Sequence, residues 1–207
     1  MSDSLIGLVG ADYVLIAADT TTARSVLKMK LDDDKIMALD SHKLLGAVGP
    51  VGDRVHFTEY VQRNLKLYKF RNNLTLGTHA TANFVRGELA DALRSSPYQV
   101  NLLLGGVDEE GPALYFLDYL ASMDKLEYAA HGYCAYFCLS ILDKYYKKDL
   151  TLEQGIDIIE KCITELRARF IINSPDFVIK VVDKNGTRVV RGLGSTDESK
   201  EKGKERA

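Results

Sequence analysis

The apolar patterning points to an α+β protein built as a four-layer α-β-β-α sandwich. Three observations carry this. Several strand candidates, Tyr13–Ala18 above all, are apolar at every position, so both faces of each strand need cover. Helix candidates arrive in two pairs, each preceded by strands, and a last strand pair closes the chain. A pair of helices can cover the outer face of one sheet while two inner faces pack on each other.

The chain has 207 residues, 46% hydrophobic and 27% charged, with a net charge of −2. One domain over residues 1–193 is expected, followed by a charged tail over 194–207. The balance gives no footing for nucleic acid, and no basic run is interleaved with aromatics. No segment approaches the roughly 18 apolar residues of a membrane helix. The start lacks the basic leader of a signal peptide and carries Asp3. The three cysteines, Cys134, Cys138 and Cys162, suit a reducing compartment. Cys134 and Cys138 stand one helical turn apart beside His131, but no fourth ligand is near, so they read as small core residues rather than a metal site. His42, His56, His79 and His131 are scattered, and no catalytic case rests on them. No cofactor motif is present.

In order, Leu5–Val9 and Tyr13–Ala18 flank Gly10-Ala-Asp12 and read as a buried hairpin. A turn centred on Ala11 places Asp19 across from Asp3. Asp19 ends a dry strand beside the chain start, where a carboxylate can belong to a catalytic site or its remains. Val26–Lys30 is a short strand candidate, and Asp32-Asp-Asp34 precedes Lys35. Ile36–Leu39 and Leu44–Val48 pair across Asp40–Lys43. Gly49-Pro-Val-Gly-Asp53 opens a helix with Phe57, Tyr60, Val61, Asn64, Leu65 and Tyr68 on one stripe, Asn64 its one polar exception. A second helix runs from about Thr78 to Leu93, ended by Ser95-Ser-Pro97. Val100–Val107 and Ala113–Asp118 pair across Asp108–Pro112, and Met123–Tyr128 adds a strand. Gly132–Tyr146 is apolar almost all round, so its own sheet or a neighbouring subunit must cover most of it. Thr151-Leu-Glu-Gln154 is a capping box. The helix it opens buries Ile156, Ile159, Ile163, Leu166 and Phe170, and Asn173-Ser-Pro175 stops it. Phe177–Val182 and Thr187–Val190 turn at Asp183–Gly186. The tail has almost no apolar surface to offset the entropy of ordering it, so it is expected to be disordered and dispensable for folding.

Across nearly its whole length except the tail, the chain resembles the β subunits of the 20S proteasome. The residues that carry this are Ser4–Asp19, Gly49-Pro-Val-Gly-Asp53, Val55–Tyr68, Pro97-Tyr-Gln-Val-Asn101, Gly111-Pro-Ala-Leu-Tyr115 with Asp118-Tyr-Leu120, Ala129-Ala-His-Gly-Tyr133 and Val182-Asp-Lys-Asn-Gly186. Within that family it is most similar to the eukaryotic members at the fourth β position. The resemblance implies the N-terminal nucleophile hydrolase fold, which agrees with the layers. It implies partners too: other β and α subunits in a particle of stacked seven-membered rings, in cytoplasm and nucleus, serving ubiquitin-dependent proteolysis.

Active members of the family expose a threonine as first residue, its hydroxyl the nucleophile and its amine able to serve as base. By position, Asp19 and Lys35 match the aspartate and lysine beside that threonine. Gly49 matches the glycine whose amide forms the oxyanion hole. The nucleophile's own position falls on Asp3. Ser2, exposed if Met1 is removed, is a hydroxyl one residue out of register, and Ser4 has the same fault. The family's downstream Asp and Ser are missing from Arg167–Ile172. The expectation is therefore a non-catalytic ring subunit, in which Asp19 and Lys35 form a buried ion pair and Gly49 makes a backbone turn. The alternatives are an active hydrolase using Ser2 and a free-standing binding domain that keeps the fold.

Overall fold

A computed structural model describes residues 3–24, 27–170 and 176–192. Ser2, the start of the expected strand at Val26, the helix stop at 173–175 and the tail over 194–207 lie outside them.

Strands β1 (Leu5–Val9) and β2 (Tyr13–Asp19) form the opening hairpin. Its loop is wider than a turn centred on one residue. Gly10 N donates to Tyr13 O at 2.9 Å, leaving Ala11 and Asp12 between them. Leu5 therefore faces Ala18 and Leu8 faces Leu15, one residue from the expected register. Asp19 stands across Ser4, not Asp3, and its amide donates to Ser4 O at 3.1 Å.

A short ribbon follows, β3 (Thr22–Arg24) with β4 (Leu27–Lys30), of which only the second strand is foreseen in the sequence. Then come β5 (Ile36–Asp40), β6 (Lys43–Val48), α1 (Val51–Asn72) and α2 (Thr78–Ala92). β7 (Asn101–Asp108) and β8 (Gly111–Leu117) join through Glu109-Glu110 alone, a tighter loop than Asp108–Pro112. Asp108 makes this possible by accepting the Glu110 amide at 3.0 Å. The strand expected over Met123–Tyr128 is two elements, β9 (Met123–Leu126) and β10 (Tyr128–His131). β9 pairs with β8 and β10 with β1, so the chain changes sheets at Glu127, whose carbonyl accepts from Val9 N. The rest is α3 (Ala135–Tyr145), α4 (Leu152–Arg169), β11 (Phe177–Asp183) and β12 (Gly186–Arg191).

The first sheet has the order β10-β1-β2-β11-β12 and the second β5-β6-β7-β8-β9, antiparallel throughout. Strand alternation sorts β2 cleanly. Val14, Ile16 and Ala18 face the second sheet, meeting Leu44, Leu103 and Leu114. Tyr13, Leu15 and Ala17 face the helices, meeting Cys138, Leu142, Ile159 and Ile163 of α3 and α4. On the far side of the second sheet, Leu45, Leu102, Leu104 and Tyr115 pack on Phe57 and Val61 of α1 and Val85 and Leu89 of α2. Both sheets are thus covered on two sides, and the four layers are α3/α4, sheet, sheet, α1/α2.

Two helices depart from expectation. On α1 the buried stripe is Arg54, Phe57, Thr58, Val61 and Leu65, while Tyr60 and Tyr68 are exposed. Charge and hydroxyl at 54 and 58 hide that stripe from an apolar count. On α3 only Cys138 and Leu142 are fully buried; Ala135, Phe137 and Ile141 are half-buried against the same core, and Tyr136, Leu139 and Tyr145 face outward. The capping box on α4 is present in both halves: Gln154 N donates to Thr151 Oγ1, and Thr151 N donates to Gln154 Oε1 at 3.0 Å.

Candidate functional site

Four strand ends meet where β1 begins. Asp3 precedes β1, Asp19 ends β2, Lys35 precedes β5 and Gly49 links β6 to α1. A side chain at a strand end is no longer bound to the alternation of the sheet, so Asp3 reaches the same point as Asp19 despite the shifted register.

Lys35 Nζ lies at the centre. It donates to Asp3 Oδ1 at 2.7 Å, to both Asp19 oxygens at 3.0 Å, and to Thr21 O at 2.9 Å. The side chains of Lys35 and Asp19 are 1% and 2% exposed, that of Asp3 14%. Asp19 also accepts Ser4 N at 2.7 Å and Thr21 N at 3.3 Å. Burial pushes the Asp19 carboxyl above its usual range, and Lys35 and the Ser4 amide pull against that. The second oxygen of Asp3 accepts the Gly49 amide at 3.3 Å. Gly49 has φ +151°, and a Cβ there would sit 2.4 Å from Gln99 O, so only glycine fits. Gly132 (φ +90°) is constrained by Asp3 itself, since a Cβ would meet Asp3 O at 2.1 Å.

A second cluster adjoins the first. Asp33 accepts from Thr22 Oγ1 at 2.6 Å and from the buried Arg54, and its amide donates to Thr20 O at 2.9 Å. Sequence reasoning missed Arg54. Its signal was a cation placed where α1 must be buried, at spacings of three and four from Phe57 and Thr58. It also missed that the Thr21 carbonyl and Ser4 amide complete the shells of Lys35 and Asp19, because backbone partners leave no residue-type signature.

The side chain of Ser4 is a hydrogen-bond partner of the Cys134 thiol, which also donates to His131 O at 3.1 Å. His131 is buried, stacked on Phe116 with ring centroids 4.0 Å apart, and bonded through Nε2 to Leu102 O at 3.0 Å. No group of three or more His, Cys, Asp or Glu side chains among the described residues is placed to hold a metal ion. Nor does Lys35 Nζ have a hydroxyl among its hydrogen-bond partners there. Chemically, the centre is one ammonium shared by two carboxylates. It can hold charge and geometry.

A two-sheet sandwich flanked by helices on both outer faces is the architecture of the N-terminal nucleophile hydrolases. The proteasome subunit family model matches residues 1–182. The chain is 52% identical to proteasome subunit beta type-2 of rice over 196 residues, 94% of this chain and 92% of the relative. It is 50% identical to the probable proteasome subunit beta type-4 of Neurospora crassa over 185 residues, covering 88% and 91%. With proteasome subunit beta type-4 of Saccharomyces cerevisiae it shares 40% identity over 191 residues, covering 91% and 96%. The chain belongs to the proteasome subunit family, among its β subunits.

Proposed function

We propose that the chain is a non-catalytic structural subunit of the 20S core particle. It takes the fourth place in the β ring that encloses the proteolytic chamber, in cytoplasm and nucleus, and serves ubiquitin-dependent degradation. One observation supports the non-catalytic part: the contacts made by Asp3, the residue that family spacing puts at the nucleophile's position. Its carboxylate takes up both the lysine and the glycine amide that would serve a reacting hydroxyl. Asp19, Lys35 and Gly49 are on this reading remnants of the family site, kept because they fold the chain. The outward apolar side of α3 supports assembly with neighbouring subunits.

The test treats purified particles with a covalent inhibitor of threonine-type peptidases and takes the intact mass of each subunit. This chain should be unmodified while other subunits in the same sample carry adducts. An adduct on its N-terminal residue would make Ser2 a nucleophile and the chain an enzyme.

A further inference from the structure

The Asp3 carboxylate is held the way a bound ligand is held. Each oxygen has its own donor, Lys35 Nζ at 2.7 Å and Gly49 N–H at 3.3 Å. Neither donor owes its position to Asp3. Lys35 is fixed separately by both Asp19 oxygens and Thr21 O. The Gly49 amide is aimed by a backbone conformation packed against Gln99 O. The main chain of Asp3 is also held without its side chain, by the Ser4 amide on Asp19 and by the contact of Asp3 O with Gly132. Of the three charged groups, Asp3 is the one that reaches solvent.

We infer that Lys35 Nζ and Gly49 N–H form a carboxylate-binding site that the chain fills with its own Asp3, and that the site takes a small free monocarboxylate once that side chain is cut away. A buried ammonium plus one fixed amide suits a planar anion with two oxygens, since charge-assisted hydrogen bonds are the strong ones. In the unaltered chain the tethered group outcompetes free acids, because a tether supplies an effective concentration of the order of millimolar or above. The site is therefore closed natively and opens only by truncation. The cradle stands on these distances whether or not the chain is catalytic.

The experiment follows thermal melting of the full-length Asp3→Ala chain while sodium formate is titrated in. Formamide serves as the neutral probe of the same shape, and the unaltered chain controls for general salt effects. Asp3→Ala should melt several degrees lower. Formate should recover much of that loss in a saturable way, formamide should not, and adding Lys35→Met should abolish the recovery. An equal formate response in the unaltered chain, in the Lys35→Met background, or with formamide would overturn the assignment. Asp3→Asn gives a second reading that does not need the alanine chain to accumulate. It fills the space without the charge, and should fall below the unaltered chain about as far as Asp3→Ala is expected to. An asparagine chain as stable as the unaltered one would show that shape, not the anion, is recognised.

Discussion

Lys35 and His131 show how differently two buried basic groups behave. Lys35 is compensated, with two carboxylates and a carbonyl around its ammonium. Lys35→Met leaves two like charges facing each other in a dry site, which should cost about 3–5 kcal/mol in urea unfolding. Adding Asp19→Leu should recover part of that, since a well-packed apolar pair can match a buried ion pair. A Lys35→Met chain of unchanged stability would contradict the whole account of this centre. His131 is uncompensated. Burial lowers its pKa from the ordinary 6.5 to about 4, with the carbonyls of Leu102 and Leu117 and the charge of Asp118 pulling only partly the other way. A folded-state pKa below the unfolded one means that His131 favours folding fully above pH 6.5. That contribution, at most about 3 kcal/mol, is lost as the pH falls from there towards 4. Measured between pH 7.5 and 4.5, His131→Phe should flatten the slope relative to the unaltered chain, and equal slopes would refute the assignment. Sequence reasoning could locate Asp19, Lys35 and Gly49 by family position. It reached Asp3 by the same family spacing, and also through a hairpin register that is off by one. It had no means to see the carbonyls and amides that set the electrostatics, because every residue carries them.

At the scale of elements, α4 is where local signals and packing agree most fully. Its capping box is written in Thr151 and Gln154, and its apolar spacing meets the first sheet. Thr151→Ala should cost about 1 kcal/mol through the lost cap. Gly155 is the less obvious position. In an exposed helix, glycine to alanine gains up to about 1 kcal/mol. Here the new methyl would lie 2.3 Å from Tyr13 Oη, on a buried ring whose hydroxyl already donates to Thr151 O at 2.9 Å. Overpacking of this kind costs about 1–3 kcal/mol, so the sign should reverse. Tyr13→Phe removes the clashing oxygen and should make Gly155→Ala tolerated, a coupling that a double-mutant cycle would measure. Additive effects would place the methyl elsewhere. Most strands were legible because apolar runs bounded by turn residues carry both length and position. β10 was not, since only Glu127 separates it from β9 and the pairing that divides them is non-local. β3 was hidden in a polar Thr-Ala-Arg stretch, where nothing apolar marks a strand.

Over the whole molecule, what remains is apolar surface that one chain does not cover. Tyr136 on α3 is 82% exposed, with Tyr133 and Leu139 beside it in sequence spacing. Phe70 near the end of α1 is 85% exposed, and Leu27, Met29 and Leu31 project around β4. The sequence already signalled too much apolar surface on the segment that forms α3, but it could not say which side the chain's own sheet would take. The fold decides that: Cys138 and Leu142 go inward and Tyr136 and Leu139 outward. Large exposed aromatics on one helix are what an assembly interface needs, and they contribute little to the stability of the separate chain. This separates assembly from folding experimentally. Tyr136→Glu together with Leu139→Glu places charge only on the outward side, so the full-length chain should unfold within about 0.5 kcal/mol of the unaltered one. Incorporation into the particle, followed by native mass after co-expression with the other subunits, should be lost or strongly reduced. If the doubly substituted chain enters particles as well as the unaltered chain does, α3 is not a contact. If it instead unfolds, the outward side of α3 is serving the chain's own core.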